Sequence, residues 1–465
     1  MYQINFHHPS NAFFIGIGGI SMSGFAELLH SLGFHISGSD IMESKITEHL
    51  EQLGIPVHYE QVRENITKDL DFIVYTAAIH PDNPEFIAAK EQNIPMIDRA
   101  ELVGQVMKNY QDAIAVSGTH GKTTVTSMLS HILIAANLDP TISIGGVLKA
   151  IHGNMRIGKS GYFLTEACEY TNSFLKFHPK FGIILNIEED HMDFFKDIDD
   201  IRHSFHQFAL LLPKNGCLII NGNIDHLEEI TKDVACPCVT YGLGKKCYNY
   251  TAENITYDKL GCASYDLIIN GRIEERITLR VMGDYNIENS LAAIACARHL
   301  FLHIPEIQTG FSAFYGADRR FEYKGNVGGV TVIDDYAHHP SEIKASLEVA
   351  QKYPHKHLWL VFQPHTYTRT KAFLKEFAMV LSTAEHIILA DIYAARELDT
   401  GEISSLDLKH EIELLNGDVS YFPSFGEIED FLLEHCVKDD LIITMGAGNV
   451  VEIGDDLLGN SKIEE

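Results

Sequence analysis

The stretch GTHGKTT at residues 118–124 contains residue types that bind nucleotide phosphates. It follows the apolar run DAIAVS, which predicts a buried strand, and leads into TVTSMLSHILIAANL, whose spacing predicts a helix. A glycine loop at such a junction points backbone N–H groups at an anion, and the helix N-terminus adds partial positive charge. Lys122 can bridge two phosphates, and Thr123 can offer a hydroxyl to Mg²⁺. The predicted ATP phosphate-binding residues are Gly118, Thr119, His120, Gly121, Lys122, Thr123 and Thr124.

One position departs from the strict P-loop pattern. The pattern places a glycine where this chain has Val116. The alternative interpretation is therefore a glycine turn at an ordinary helix start. Because the strand, the turn, the GKTT residues and the helix all agree, we favour the phosphate-binding loop.

Two further strands end in side chains that suit a metal ion. Glu166 ends the strand YFLTE, and His191 follows the strand FGIILNI. In a parallel sheet ligands gather at the carboxyl ends of strands, so Thr123, Glu166 and His191 are expected near one another. Waters and phosphates complete a Mg²⁺ site that has few protein ligands. Four rival acids, each alone more often a solvated loop residue, are Glu188, Glu189, Asp190 and Asp193.

A second glycine-rich loop, GIGGISMSG, follows the apolar run AFFI near the N-terminus. It is similar to a dinucleotide fingerprint, with Gly16 and Gly18 in place, but Ser21 stands at the position of the third glycine. Asp40 ends the next strand, about where a ribose-binding acid falls. The pattern predicts a nucleotide diphosphate on this block and leaves NAD and a nucleotide sugar both open.

The elements that must position these residues form three α/β blocks. Strands alternating with helices predict parallel, doubly wound sheets. Residues 236–282 differ, because short alternating strands with turns predict a β-rich edge of the middle block. In the last block the predicted parallel strands are VTVIDD, LWLVFQP, HIILADI and LIITMG, and the final GNSKIEE is expected to be a frayed tail.

Composition narrows the classes of function. The 465 residues suit roughly three domains, and the net charge of −28 argues against binding a nucleic-acid backbone. No run of about eighteen apolar residues and no signal core exist, so we expect a cytoplasmic protein without a membrane span. The eight cysteines are scattered, and CPC lacks zinc-ligand spacing, which favours free thiols.

Taken together, the motifs resemble the Mur ligases, the ATP-dependent amino-acid ligases of peptidoglycan synthesis. They occur in order from residue 16 to residue 449. The matching segments are GIGGISMSG, GSD, TAAI, NPE, RAEL, SGTHGKTT, EACEY, NIEEDHMDFF, YNIENSLAAIA, DRRFEY, DDYAHHPSEI, FQPHTYTRT, ADIYAARE and MGAGN.

The resemblance implies three domains and a reaction. Residues 1–108 form a Rossmann-like domain that binds a UDP-sugar, residues 109–316 a central P-loop ATPase-type domain, and residues 317–465 a Rossmann-like domain that holds the amino acid and closes over ATP. ATP phosphorylates the lactyl carboxylate of UDP-N-acetylmuramate, and the amine of L-alanine attacks the acyl phosphate. Mg²⁺ is the implied metal, with Mn²⁺ as an alternative, and the protein is expected as a monomer or weak homodimer.

The resemblance also assigns residues by position. Catalytic roles fall to Lys122, Glu166, His191 and Arg320, with Thr123, Glu166 and His191 on the metal. Further ATP contacts fall to Asn286, Asn289, Arg320 and Asp335. The sugar nucleotide lies against Gly16, Gly18, Gly19, Ser21, Ser39, Asp40 and Thr76. The amino acid meets Tyr336, His338 and Arg369, whose guanidinium pairs with its carboxylate. Thr366 stands where many members carry a second arginine, which leaves the make-up of that carboxylate clamp open.

Other functions remain as alternatives. A recycling ligase that adds a tripeptide to the same sugar nucleotide also carries such loops, but FQPHTYTRT favours a single amino acid. A folate or cyanophycin ligase does not account for GIGGISMSG with GSD. A nucleotide-sugar sensor without catalysis is disfavoured by the presence of Lys122, Glu166, His191 and Arg320. An NAD-dependent dehydrogenase leaves the P-loop without a role.

Overall fold

The computed structural model describes residues 2–76, 79–245, 247–395 and 397–459. Its contacts divide the chain into two compact units. The first comprises residues 1–189, 197–250 and 291–310, and the second residues 190–196, 251–290 and 311–465. The expected C-terminal tail from residue 460 onward lies outside the described residues, as do Ala77, Ala78 and Arg396 of two matching segments.

The first unit begins with a five-stranded parallel sheet in the order β3-β2-β1-β4-β5. Phe13 and Phe14 of its central strand are almost fully buried, as the apolar run predicts. The strands are β1 (Asn11–Ile15), β2 (His35–Ser39), β3 (Val57–His58), β4 (Phe72–Tyr75) and β5 (Met96–Asp98). The helices that connect them or follow them are α1 (Ile20–Ser31), α2 (Lys45–Gln52), α3 (Pro84–Glu91) and α4 (Arg99–Met107).

The rest of the first unit contains a second sheet in the order β12-β11-β10-β6-β9-β7-β8, parallel except for β8. Its strands are β6 (Asp112–Ser117), β7 (Thr141–Leu148), β8 (Gly153–Arg156), β9 (Tyr162–Glu166), β10 (Phe181–Ile184), β11 (Cys217–Asn221) and β12 (Cys238–Tyr241). The helices are α5 (Lys122–Ala135), α6 (Ile198–Leu210) and α7 (Leu227–Ile230). Central β6 pairs with β9 and β10, and the register sets Val116 beside Glu166 and Ser117 beside Ile184. The segments that follow these three strands therefore leave the sheet at one edge.

Three of the elements that the structure describes include residues of both units, and the first two are β13 (Tyr250–Tyr257) and α8 (Tyr285–His299). Helix α9 (Ile304–Ala313) follows α8 and also crosses the division. In the second unit β14 (Cys262–Ile269) and β15 (Arg272–Met282) form an antiparallel pair. The predicted β-rich character of residues 236–282 is therefore confirmed.

The third sheet lies within the second unit, in the order β16-β17-β21-β18-β19-β20. Only β16 runs antiparallel. Its strands are β16 (Glu322–Val327), β17 (Val330–Asp335), β18 (Leu358–Phe362), β19 (His386–Leu389), β20 (Val419–Tyr421) and β21 (Leu441–Met445). The helices are α10 (Pro340–Lys352), α11 (Tyr367–Ala372), α12 (Leu374–Leu381), α13 (Ser405–Leu414), α14 (Phe425–His435) and α15 (Val451–Leu457).

The α/β class with mainly parallel sheets is confirmed, and every strand predicted from an apolar run is present. The strands without a prediction include short or polar ones such as β8 and β20, and also the apolar, buried strand β11. Among the described residues, no helix combines the length and apolar character needed to cross a membrane.

Candidate functional site

The loop between β6 and α5 depends on two glycines. Gly118 has φ +141°, and a Cβ atom there would lie 2.8 Å from Leu185 Cβ. Gly121 has φ +84°, in the left-handed region, immediately before the first residue of α5. Other residues are strained at such angles. The loop therefore keeps a backbone path that presents N–H groups at the helix start.

Asn186 holds this loop in place from the segment after β10. Its Oδ1 accepts the His120 N–H at 2.7 Å, and its Nδ2 donates to the His120 carbonyl at 3.1 Å. Thr119 Oγ1 accepts the Glu188 N–H at 2.9 Å, and Glu188 Oε2 lies 3.4 Å from His120 Nε2. The loop is thus organised by neighbouring protein groups.

Lys122 is paired with a buried acid. Its Nζ lies 3.1 Å from Glu169 Oε2 and donates to the Thr119 carbonyl at 3.0 Å. Burial lowers the pKa of Lys122, but the charge and hydrogen bond of Glu169, together with Cys168 and Glu166, outweigh burial and the pKa is raised. The lysine is therefore cationic and held at the loop. Sequence reasoning missed Glu169, although it lies in the EACEY segment.

Thr123 and Glu166 both approach β7. Glu166 Oε1 accepts the Gly145 N–H at 2.8 Å. A Cβ atom on Gly146 would lie 3.6 Å from Thr123 Cγ2. The structure thus brings the Thr123 side chain and the Glu166 carboxylate beside two adjacent glycines of β7. The third predicted ligand, His191, belongs to the second unit.

The hairpin of β7 and β8 also contacts the first sheet's leading helix. Asn154 Nδ2 donates to the Ile20 carbonyl at 2.6 Å. A Cβ atom on Gly24 would lie only 2.8 Å from Met155 Cβ. The same hairpin therefore contacts α1, and its strand β7 carries the two glycines that lie beside Glu166 and Thr123.

In the first sheet, Asp40 caps the glycine loop. Its Oδ2 accepts the Gly18 N–H at 2.8 Å. Gly16 has φ +81°, and a Cβ atom there would lie 2.8 Å from Thr76 Cγ2. Gly19 precedes α1 directly. The loop backbone thus closely approaches two of the predicted sugar-nucleotide residues.

Two neighbours of this loop were not predicted. Arg99 donates to Ser21 Oγ at 3.1 Å. Ser39 Oγ donates to Glu85 Oε2 at 2.6 Å, and Asn65 donates to Glu85 Oε1 at 2.7 Å. Glu85 is fully buried, and burial raises its pKa despite these hydrogen bonds. Ser21, which stands where a dinucleotide fingerprint has its third glycine, therefore accepts a hydrogen bond from Arg99.

In the second unit, the predicted carboxylate-binding arginine is already paired. An Arg369 guanidinium nitrogen donates to Asp190 Oδ1 at 2.9 Å, and another lies 3.2 Å from His365 Nδ1. Burial raises the pKa of Asp190, but Arg369, with His191 and His338, outweighs it and holds the pKa well below its usual range. His191 has φ +54°, and its Nε2 lies 3.7 Å from Asp190 Oδ2.

His338 lies beside this pair as a neutral ring. Burial lowers its pKa to about 4, and its Nδ1 lies 2.9 Å from the Tyr336 carbonyl. Its ring centroid lies 5.8 Å from that of His365. Tyr336, His338 and Arg369 thus occur in the same unit together with Asp190, which sequence reasoning had treated only as a rival metal ligand.

Adjacent arginines at the start of the third sheet have different surroundings. Arg319 donates to buried Asp334 at 2.9 Å and to the carbonyls of Gly446 and Gly448 at 2.7 and 2.9 Å. Arg320 lies 3.7 Å from Glu342 Oε1, and both guanidinium groups lie over the Tyr336 ring. Arg319 is therefore held by three short hydrogen bonds within the fold, whereas the contact of Arg320 with Glu342 is longer.

The remaining predicted ATP residues are buried polar groups. Asn289 Nδ2 donates to Asn286 Oδ1 at 3.0 Å, which confirms that they share one helix face. Asp335 accepts the Ser346 hydroxyl at 2.6 Å and the Ala337 N–H at 2.8 Å. Burial raises the pKa of Asp335 to about 6. Carboxyl groups whose pKa is strongly shifted by burial cluster at functional sites.

Three family models match successive parts of the chain. The model described as "Mur ligase family, catalytic domain" matches residues 12–111, and "Mur ligase middle domain" matches residues 116–297. "Mur ligase, glutamate ligase domain" matches residues 319–448.

Curated relatives and solved structures are similar over the whole chain. UDP-N-acetylmuramate–L-alanine ligases from Agathobacter rectalis and Lachnospira eligens are 59% and 55% identical, each covering 98% of this chain and 100% of the relative. UDP-N-acetylmuramate-alanine ligase from Thermotoga maritima has a TM-score of 0.81 at 25% identity, covering 98% of this chain and 100% of that one. A murein peptide ligase from Psychrobacter arcticus has a TM-score of 0.72 at 25% identity, with coverage of 97% and 98%.

Proposed function

The chain belongs to the Mur ligase family, and from this membership we propose that it joins L-alanine to UDP-N-acetylmuramate in peptidoglycan precursor synthesis. It is an acid–amino-acid ligase that forms a C–N bond and uses ATP. The observation that carries the proposal is full-length similarity to ligases named for this reaction.

The reaction needs activation because a carboxylate is a poor electrophile. The γ-phosphoryl group of ATP is transferred to the lactyl carboxylate, giving an acyl phosphate and ADP. The amine of L-alanine then attacks the acyl carbon. The tetrahedral intermediate collapses with loss of inorganic phosphate and of one amine proton, and an amide remains.

We assign phosphate binding to the loop between β6 and α5 and to Lys122. Backbone N–H groups at the start of α5 face the phosphates, and Lys122 neutralises charge on the transferring group. Glu169 holds the ammonium beside the loop until a nucleotide supplies other oxygens. Arg320, Asn286, Asn289 and Asp335 are our further candidates for contacts with ATP, Asp335 through the ribose.

The donor set of Thr123 and Glu166 fits Mg²⁺, since both offer oxygen atoms beside the phosphate loop. His191 adds an imidazole, which Mn²⁺ also accepts. Bound at these residues, the ion would neutralise negative charge on the phosphates. The protein's own part is to aim the Glu166 carboxylate, one of whose oxygens is fixed by the Gly145 N–H.

We assign the sugar nucleotide to the loop around Gly16, Gly18 and Gly19, with Ser21, Ser39, Asp40 and Thr76 beside it. We assign the amino acid to Tyr336, His338 and Arg369. The domain division at residues 1–108, 109–316 and 317–465 remains our proposal, supported by the three sheets, whose strands fall within these ranges. We also propose that the protein is a cytoplasmic monomer or weak homodimer and that it binds neither membrane nor nucleic acid.

The test is phosphate release from the purified protein with MgATP and UDP-N-acetylmuramate, across single amino acids and the tripeptide. Release that requires L-alanine is expected. Release with the tripeptide alone would identify a recycling ligase, and no release would leave a binding protein. The matched variant is Lys122→Ala, which should abolish release while UDP-N-acetylmuramate still binds. Loss of both would contradict the proposed domain division.

A further inference from the structure

A cluster of two histidines and an acid lies at the amino-terminal ends of β18 and β19 in the third sheet. His357 immediately precedes β18, and Glu385 and His386 lie at the start of β19. One potential ligand atom from each of the three lies within 4.8 Å of the others. The residues assigned to the ligase reaction in this unit include Asp335, at the end of β17, and Arg369, beyond the end of β18. The cluster is therefore separate from the proposed catalytic residues.

We propose that His357, Glu385 and His386 bind a divalent transition-metal ion of the Zn²⁺ or Ni²⁺ class. Two imidazoles and one carboxylate are the ligands that such ions prefer, whereas Mg²⁺ and Ca²⁺ prefer oxygen alone. Three protein ligands leave the fourth tetrahedral position to water.

The spacing of the donors suits such an ion. His357 Nδ1 lies 3.3 Å from Glu385 Oε2. Two ligands of a tetrahedral ion with bonds of about 2.1 Å are separated by about 3.4 Å. The pair thus has the separation of one edge of the coordination tetrahedron. The strand register, which sets Trp359 beside His386, fixes the second imidazole on the adjacent strand.

Asp418 orients His386 for this role. Its Oδ2 lies 2.6 Å from His386 Nδ1, at the start of the next strand, β20. This contact places the ring proton on Nδ1 and leaves the Nε2 lone pair for a metal. Carboxylates that fix a ligating imidazole in this way usually raise its basicity and the metal affinity.

The site is accessible and has its own reporter. The side chains of His357 and His386 are 44% and 32% exposed, so an ion can enter from solvent. Trp359, the single tryptophan of the chain, stacks on His386 with ring centroids 4.1 Å apart. A paramagnetic ion on His386 should quench tryptophan fluorescence.

The experiment titrates the full-length protein with Ni²⁺ in the absence of ATP and follows Trp359 fluorescence, with bound nickel counted by equilibrium dialysis. We expect saturable quenching that Zn²⁺ competes away. His357→Ala and Glu385→Gln should each weaken the quenching by at least about tenfold, and Asp418→Asn by about 10–100-fold. His386→Ala should remove one bound ion per chain.

The matched control is His355→Ala. His355 lies two residues from His357, but its Nδ1 faces the Tyr353 carbonyl at 2.6 Å. This variant should titrate as the wild type does. If His357→Ala, Glu385→Gln and His386→Ala all retain wild-type nickel binding, the ion binds elsewhere and the proposal is wrong. Quenching that is equally lost in His355→Ala would also overturn it.

Discussion

Asp190 and Arg369, 179 positions apart in the sequence, form a buried ion pair in which a guanidinium nitrogen lies 2.9 Å from Asp190 Oδ1. Their side chains are only 8% and 11% exposed. The arginine that we assign to the carboxylate of L-alanine is therefore held by an internal carboxylate. A planar guanidinium has five N–H donors, so a second carboxylate can bind beside the first.

Asp190→Asn tests whether this contact positions Arg369. We expect the KM for L-alanine to rise about tenfold, with a smaller change in kcat and in the KM for ATP, because Arg369 loses its orienting charge. Steady-state kinetics with each substrate varied in turn would measure this. Asp199→Asn, at a largely exposed acid, is the control. A fall in the KM for L-alanine would mean that Asp190 competes with the substrate.

Glu169→Gln tests the neutralisation of Lys122. Removing one partner of a buried pair leaves an uncompensated charge, so the ligand-free protein should lose about 3 kcal/mol of stability. Nucleotide phosphates restore a partner, and the rise in Tm with MgATP should therefore exceed that of the wild type. Thermal unfolding with and without MgATP measures both effects. Glu229→Gln, at an exposed acid that pairs with His226, should behave as the wild type does; an identical MgATP shift in both variants would refute this account.

The adjacent arginines Arg319 and Arg320 should separate structure from catalysis. Arg319→Ala leaves buried Asp334 without its guanidinium and should lower the free energy of unfolding by about 3 kcal/mol. Arg320→Ala should cost less stability, because its contact with Glu342 is long at 3.7 Å, and should lower kcat by about 100-fold, since transition-state charge loses a donor. Urea unfolding and kcat measurements distinguish them. A wild-type kcat in Arg320→Ala would show that Arg320 has no catalytic role.

The buried carboxyl of Asp335 predicts a pH dependence of stability. Its folded pKa of about 6 lies above the ordinary value of 3.8, so ionisation costs stability. That cost is fully present above pH 6 and is lost as the pH falls from 6 towards 4. Asp335→Asn lacks this cost, so its stability relative to the wild type should increase by about 2 kcal/mol between pH 4 and pH 7. Urea unfolding at both pH values measures this, and a pH-independent difference would contradict it.

Local patterns were enough to predict the glycine turn between β6 and α5 and the strand that leads to it. Gly118, Gly121 and Lys122 lie between an apolar strand and a helix, and each step is encoded within a few residues. The same holds for Asn286 and Asn289, whose spacing of three places them on one helix face.

The partners of these residues were not predictable in the same way. Glu169 lies three residues beyond the end of β9, in a segment that belongs to no regular helix or strand, so no regular period places its side chain. Asn186 reaches His120 because β10 pairs with β6, and Asp190 reaches Arg369 across 179 positions. Such contacts depend on sheet register and tertiary packing, which a single sequence does not display.

The close contact of Gly24 with Met155 has a consequence for how this protein can evolve. Any side chain at position 24 would place its first carbon 2.8 Å from Met155 Cβ, and the backbone of α1 and β8 would have to separate. A larger residue at one position can therefore be accepted only with a compensating change on the other side. Among descendants of this gene, drift should leave the outer surface of the hairpin free to vary while positions 24 and 155 change jointly or not at all.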